Sequence, residues 1–417
     1  MAGNWIYYWG NGSNPSGRIQ QVRVNFCRRF TTLLLSPDLD LYWQHVVRNS
    51  DLNENTEKKY REEVAALEGQ ARKIYHTDDN FNVVPTGDQF VDIMVKQGCF
   101  ILQVALCSLG GLAPLGYPED GNLGKDWDKE MIDNWVSSMF SISKQFPLFI
   151  LQKLMEQSFF QTVLSRGKWK GPHDLARMVL YDSLVKPTLD SHGRRAATSF
   201  LGLIHCKKSG LAKEQPTLLH ALWLTLTGPD LSGGVVKEGD NVWSTVRSAT
   251  ELREAGIGFR NNKEMGIRGI KFKTKWLKFD AYLCLPFISI GPNTETLLKS
   301  LIDFEGELYQ DGSGGEVCAY LKFMSELVRS HEDAKVLAVH GIIDADTESE
   351  EKMHHTLASL HLPEVVNNQN LCVVRDEIRG YVKPSKWDKI VNLIVITLLL
   401  TLVQTIYTVV GYHHPKN

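Results

Sequence analysis

The sequence predicts a mainly α-helical protein with a small antiparallel β unit over about 257–290 and one C-terminal transmembrane helix. Three observations point there. Apolar residues recur at spacings of three and four through most of the chain, the mark of helices with one buried face. Between Ile257 and Ile290 the period shortens, and Ile270 and Phe272 alternate with Lys271 and Lys273 as on a half-buried strand. The residues from Ile390 to Val410 then form a run of 21 without a charge. At about 1.5 Å per residue such a helix spans roughly 31 Å, the thickness of a bilayer's hydrocarbon core.

The elements divide the chain into five segments. Residues 1–60 are a divergent N-terminal segment, in which Ser13 to Gly17 reads as loop and Arg18 to Leu35 has no clean period. Residues 61–205 make a helical N-terminal half. It is entered by an exposed amphipathic helix from Glu57 to Tyr75 that turns Leu67 and Ile74 inward. Phe90 to Leu109 is apolar on most sides, which suits the centre of a core. Its interruptions at Asp92, Lys96, Gln97 and Gln103 argue against a second membrane span. Gly110-Gly111 ends it. Met131 to Met155 supplies two helices parted at Gln145-Phe146, with Pro147 in the first turn of the second, where no helical hydrogen bond is lost.

Residues 206–240, punctuated by Pro216, Pro229, Gly233-Gly234 and Gly239, form a variable loop or linker. Residues 241–385 make the C-terminal half. It opens on a short helix from Ser248 to Ala255 stopped by Gly256, carries the β unit, and returns to helices at Leu297 to Tyr309 and Val317 to Val328. The fifth segment is the transmembrane helix, 390–410. Arg379, Lys383, Lys386 and Lys389 precede it, Trp387 stands at interfacial level, and Tyr407 and Tyr412 lie near the far end. The basic excess before the span places the N-terminal body in the cytosol by the positive-inside rule. The first ten residues lack the basic and apolar regions of a signal peptide. The expectation is a single-pass, tail-anchored protein whose partner is the lipid bilayer, with plasma membrane and endomembrane equally open.

Composition excludes several classes. At 43% hydrophobic and 23% charged residues the chain is ordinary globular material, not disordered. A net charge of −2 gives no general attraction to nucleic acid, and none is expected as a partner. The seven cysteines are scattered without a Cys-x-x-Cys pair, so neither a disulfide framework nor a zinc site is indicated.

A search for catalytic constellations finds no phosphate loop, no His-Glu-x-x-His helix and no Gly-x-Ser-x-Gly elbow. Asp311 to Gly315 (DGSGG) reads as a turn between helices. His354, His355 and His361 lie near Glu348, Glu350 and Glu351, but adjacent histidines on a helix point apart, and a solvated acidic face explains them better. No catalytic residue, metal ligand or cofactor is expected.

Two clusters remain as candidate contact sites. Arg268, Lys271, Lys273, Lys275 and Lys278, interleaved with Phe272, Trp276 and Phe279, form a basic stripe suited to an anionic lipid surface. The alternative is a hairpin whose lysines protect an edge strand from aggregation. In the span, Thr397, Thr401, Gln404, Thr405 and Thr408 share one face and are candidates for contact with a partner helix, of this chain or another. The alternative is that each threonine hydroxyl bonds its own i−4 carbonyl. A carboxamide such as Gln404 is not fully satisfied that way.

Several segments together resemble a plant family catalogued as domain of unknown function 247 (DUF247). Ala71 to Tyr75 (ARKIY) with Asp88 to Leu102 (DQFVDIMVKQGCFIL) is similar to its first block, and Lys144 to Leu154 (KQFPLFILQKL) to its central NQIPFFVLEKL helix. Ser248 to Ile257 (SATELREAGI) is close to a verbatim match to the block opening its C-terminal half. Leu301 to Glu305, Gly341 to Ile343 and the tail with Gln404-Thr405 complete the series in order, over roughly residues 70–412. The family's opening VP…R and SIGP segment has no counterpart in residues 1–60, which marks this N-terminus as divergent or truncated. Ser143-Lys144 also stands where an acidic residue and asparagine are usual.

The resemblance implies a plant membrane protein without an established enzymatic activity. Some grass members are associated with pollen-side self-incompatibility, which implies an interaction, recognition or signalling role with an unknown protein partner. The rival reading is a membrane-associated enzyme with an unrecognised site, or a lipid-binding module using the basic stripe from Arg268 to Lys278.

Overall fold

The computed structural model describes the strands at 5–8 and 20–23 and residues 39–50, 55–75, 87–110, 112–117, 124, 127–141, 145–167, 217–227, 245–262, 266–274, 281–288, 294–309, 315–343, 347–363, 368–382 and 386–413. Two short strands, β1 (Trp5–Tyr8) and β2 (Gln20–Arg23), pair antiparallel at the N-terminus. Helices dominate the rest.

The N-terminal half is built around α4 (Asp88–Gly110). Packed on it are α1 (Leu39–Arg48), α2 (Thr56–Ala65), α5 (Lys129–Met139) and α6 (Leu148–Met155). The short α3 (Glu68–Arg72) follows α2, so the single helix expected from Glu57 to Tyr75 is two, broken at Ala66-Leu67. Ile74 is buried as expected, Leu67 only half so, and Tyr60 and Val64 contribute more. α4 buries Phe90, Met94, Phe100, Val104 and Leu106, and its charged interruptions lie where the helix surfaces. Lys96 bonds Asp92 one turn away at 2.9 Å, and Asp92 also takes Arg61 of α2.

Among the described residues Asp88–Cys107 is the one helix long and apolar enough to cross a membrane. It is mostly buried inside the protein, as the sequence led us to expect of a core helix. Two features let it sit there. Gln103 is fully buried yet satisfied, donating to the Cys99 carbonyl at 3.1 Å and accepting from the Tyr117 hydroxyl at 2.8 Å. Gly98 allows α6 to press against α4: a Cβ there would collide with Leu154 Cδ1 and lie 3.2 Å from Phe146. Trp127 closes this end of the core, edge-on to Phe100, Tyr117 and Trp135, with its indole N–H donating to the Tyr42 hydroxyl at 3.0 Å.

α7 (Ser158–Gly167) completes this half, and α8 (Leu218–Thr227) opens the next. α8 lies inside the stretch 206–240, expected as variable loop or linker. Leu218, Leu219, Leu222 and Trp223 are all buried, so at least this part is core; prolines on both sides masked the short apolar run between them. The remainder of that stretch lies outside the described residues. After α9 (Ala249–Glu254) comes a three-stranded sheet of β3 (Ile257–Asn261), β4 (Lys271–Thr274) and β5 (Ala281–Leu285).

The sheet is mixed, not antiparallel. Its order is β3-β5-β4: β5 pairs antiparallel with β4 but inserts beside β3 in parallel register, Ile257 opposite Ala281 and Asn261 opposite Leu285. Alternation of side chains reports that a segment is extended, and it does not report which neighbour it joins. Ile270 is buried and Phe272 half-buried, while Lys271 and Lys273 are exposed, as the alternation requires.

The helices α10 (Thr294–Leu308), α11 (Glu316–Leu327), α12 (His331–Val339), α13 (Thr347–Ser359) and α14 (Gln369–Val382) finish the body. α11 is central here, packed by α8, α10 and α13; α14 covers β4 and α9 covers β3. The last helix, α15, runs from Lys386 to His413. Its continuous apolar stretch of described side chains, Thr397–Val409, is shorter than a membrane span, and those side chains are exposed.

Gly98→Val tests the central crossing. It should destabilise the body by about 1–3 kcal/mol, because the added branch forces α6 off α4. The midpoint of thermal unfolding, followed by circular dichroism, reads this directly.

Candidate functional site: buried charges at the helix junctions and an exposed terminal helix

The buried polar groups of the C-terminal half converge on helix ends. Glu305 on α10 is the most buried carboxylate described, at 0% exposure, in the middle of an otherwise apolar face. Its Oε1 accepts from the Trp223 indole at 2.7 Å and from the Val317 amide at 2.8 Å, and its Oε2 accepts from the Cys318 amide at 2.8 Å. Val317 and Cys318 belong to the first turn of α11, whose amides have no partner within the helix. A side chain from another helix thus caps α11 and supplies a negative charge where the helix dipole favours one. Burial pushes the Glu305 carboxyl above its ordinary range, against the opposing pull of the Trp223, Val317 and Cys318 donors.

This contact depends on Gly315. A Cβ at that position would run into Tyr309 and lie 2.6 Å from the Glu305 carboxylate. The glycine at the end of the DGSGG turn is therefore a place of close approach; the rest of that turn, 311–314, lies outside the described residues. Beside it, Glu316 opens α11 and receives Arg268 as a fork, Nε to Oε2 at 2.8 Å and Nη2 to Oε1 at 2.8 Å. The same guanidinium stands 5.8 Å above the Trp223 ring.

This changes the reading of the basic stripe. Arg268 is committed to Glu316 in a half-buried ion pair, and its backbone carbonyl accepts from Asn370. It is a part of the junction. Lys271 and Lys273 are exposed on β4, which among the described residues has only β5 as a strand neighbour. Lys275 and Lys278 lie outside the described residues.

A second junction surrounds Asp333. Ser248 and Glu251 form a capping box on α9, and Ser330 and Asp333 form another on α12. Asp333 joins the two, accepting from the Thr250 amide at 2.9 Å and from the Ser330 hydroxyl at 3.0 Å. Burial alone would push its carboxyl up, but the bonds from Thr250, Ser248 and Ser330 outweigh it and hold the group below the ordinary aspartate range. A third junction pairs Arg375 of α14, 2% exposed, with Glu326 of α11, which also accepts from the Val246 amide at 2.8 Å. The two halves meet through Gln145, whose side-chain oxygen accepts from the Leu219 amide at 3.2 Å, next to a bridge between Pro147 and Thr217.

Among the described residues no group of His, Cys, Asp and Glu has the arrangement of a metal site. His354 and His355 lie with ring centres 5.7 Å apart on α13, and the neighbouring Glu350 faces His331 at 3.4 Å. On α15 the hydroxyls of Thr401, Thr405 and Thr408 bond back to the carbonyls of Thr397, Thr401 and Gln404 at 3.1, 2.7 and 2.8 Å. This is the local alternative the sequence left open for them. The Gln404 side chain is exposed and makes no hydrogen bond among the described residues.

The family model for DUF247, described as plant protein of unknown function, matches residues 40–412. The chain belongs to the DUF247 family. A UPF0481 protein of Arabidopsis thaliana is 26% identical to it over 299 residues, which cover 70% of this chain and 56% of that relative. The chain thus spans a little over half the length of the curated relative it matches. No solved structure matches.

Membership gives the geometry a further meaning. The segments through which this DUF247 protein resembles its family are the ones that cap and join helices: Ser248 and Glu251 in SATELREAGI, Gln145 in KQFPLFILQKL and Glu305 in LIDFE. Their roles here are structural. Trp223 is the partner of Glu305, Asp333 that of Thr250 in the SATELREAGI segment, and Glu316 and Glu326 pair with Arg268 and Arg375 beside them; sequence reasoning singled out none of Trp223, Glu316, Glu326, Asp333 and Arg375. The available signal was an acid on the apolar face of a helix, as at Glu305 beside Phe304 and Leu301.

Two outcomes test these junctions. Glu305→Gln exchanges an acceptor for an NH2 group facing the start of α11, and should cost about 1–3 kcal/mol in denaturant unfolding. For Asp333 the folded carboxyl titrates below the unfolded one, near 3.9. Its contribution is therefore present above that pH and is lost as pH falls through the depressed value. The acid limb of a stability-against-pH profile should be shallower in Asp333→Asn than in the parent chain.

Proposed function

We propose that this DUF247 protein is a membrane-tethered interaction component. On this reading α15 anchors it in the bilayer, and the helical body stands on the cytosolic side to meet a protein partner in recognition or signalling. One observation carries the reading: the described apolar side chains of α15 have no cover among the described residues. Leu398, Leu399, Leu400, Leu402, Val403, Ile406 and Val409 are each more than half exposed, and Leu400 reaches 64%. Burying seven such groups is worth on the order of 10–20 kcal/mol, as much as a whole domain's net stability. The core helix α4 is as apolar but keeps its side chains inside, so the two differ in what covers them.

Lipid is the cover that fits. The full helix of 28 residues is about 42 Å long and exceeds the hydrocarbon thickness, so its charged first turn and its C-terminal His413 reach the headgroups. Lys383, Lys386 and Lys389 precede the apolar run, with Trp387 among them, in the order of a cytosolic flank and an interfacial anchor. Some grass members of the family are associated with pollen-side self-incompatibility, which supports recognition as the role. The body's buried charges are consumed in caps and ion pairs, which suits a rigid platform.

Membranes from cells expressing the full chain, washed with alkaline carbonate, should retain it, whereas a chain ending at Ser385 should wash off. Protease added to sealed right-side-out microsomes should digest the body. Retention of the shortened chain would sink the tether, and a protected body would sink the orientation.

A further inference from the structure

Within the proposed tether, the polar residues from Thr397 onward are not scattered, while Asn392, nearer the basic flank, lies off their line. Ile394, Thr397, Thr401, Gln404 and Thr408 follow one another at spacings of three, four, three and four, and Ile390 and Gly411 extend the series at either end. This is a 3.5-residue period, the seam of a left-handed coil between parallel or antiparallel helices. Between Thr397 and Val409 every position off that seam except the flanking Thr405 is Leu, Val, Ile or Tyr. From Thr397 to Val409 the helix therefore carries one polar seam and, Thr405 aside, an otherwise apolar circumference, with every described side chain there exposed.

The seam residues differ in what they need. The hydroxyls of Thr401 and Thr408 are spent on carbonyls of their own helix, which leaves their compact side chains to pack against a neighbour. Gln404 has two donors and an acceptor without a bond among the described residues, in the middle of an apolar run. Hydrocarbon offers it nothing.

We infer that the occupant of this seam is a second copy of the same helix, forming a parallel homodimer in the membrane through a Gln404–Gln404 hydrogen-bonded pair; this rests on the tether reading above. A carboxamide is its own complement, since the N–H of one side chain donates to the oxygen of the other. Copies inserted by the same tail in the same orientation place Gln404 at the same depth, so a two-fold axis along the membrane normal brings the two together without further adjustment. Any other partner needs a matching polar group at that depth. The dimer also sets two cytosolic bodies side by side.

Oxidative crosslinking of single substitutions in the full chain, in carbonate-washed membranes, tests this. The native cysteines all precede the span, so the unsubstituted chain sets the background. Thr397→Cys, Thr401→Cys and Thr408→Cys should give the homodimer band, and Leu399→Cys, Leu402→Cys and Ile406→Cys should not. In a chain carrying Thr401→Cys, adding Gln404→Leu should cut the dimer fraction about three- to fivefold, and adding Gln404→Asn should largely keep it. A chain lost in the carbonate wash overturns the tether and the dimer with it. A retained chain with crosslinks that are absent, uniform along the helix, or solely to a different protein overturns the dimer alone.

Discussion

The C-terminal half of the body hangs on one carboxylate. Glu305 comes from α10, ties down Trp223 of α8 and caps the first turn of α11, so three helices share a single charged group with no exposure to water. A buried carboxylate is costly unless its lone pairs are occupied, and here each oxygen meets N–H donors that are themselves left over from other structure. The cost of one group and the need of the others cancel. Gly315 is the condition for this, because a side chain there would occupy the space the carboxylate needs. Arg268 and Glu316 close the outer side of the same junction, and the sheet and α14 are attached through them and through Arg375–Glu326.

The same device recurs around α9 and α12 and at the contact between the halves. Each time a polar side chain from one element satisfies the free amides at the start of another. Asp333 does so for Thr250, and Gln145 does so for Leu219. Helix starts offer donors at fixed positions, so such contacts set the angle and register between elements more sharply than apolar packing alone. A body assembled this way is suited to hold a surface in one shape, which agrees with a role in binding. It leaves its charged core residues occupied with architecture.

At the far end the constraint is reversed. From Thr397 to Val409 α15 presents apolar side chains that nothing among the described residues covers, with the carboxamide of Gln404 among them. The proposed tether and dimer answer both features, with lipid against the leucines and valines of the circumference and an identical helix against Gln404. The threonines need neither, having closed their hydroxyls on their own backbone.

Local pattern was enough for a good part of this. Helical content, the buried character of α4, the extended segments at Ile257 and Lys271, the turn ending at Gly315 and the uncharged run at the C-terminus are all written in spacing along the chain, and the family likeness is written in its short blocks. What the sequence could not carry is who meets whom. The β unit was legible as extended but its mixed order was not, because β5 pairs with β3 as well as with its sequence neighbour β4, and alternation does not encode the neighbour. Trp223 was hidden between prolines in a stretch that reads as loop, and Arg268 read as a surface cation until Glu316, 48 residues away, claimed it. Periodicity measures whether a side chain faces inward. It says nothing about the partner, which is chosen by distance and by unsatisfied hydrogen-bonding groups, and these exist only once the chain has closed on itself.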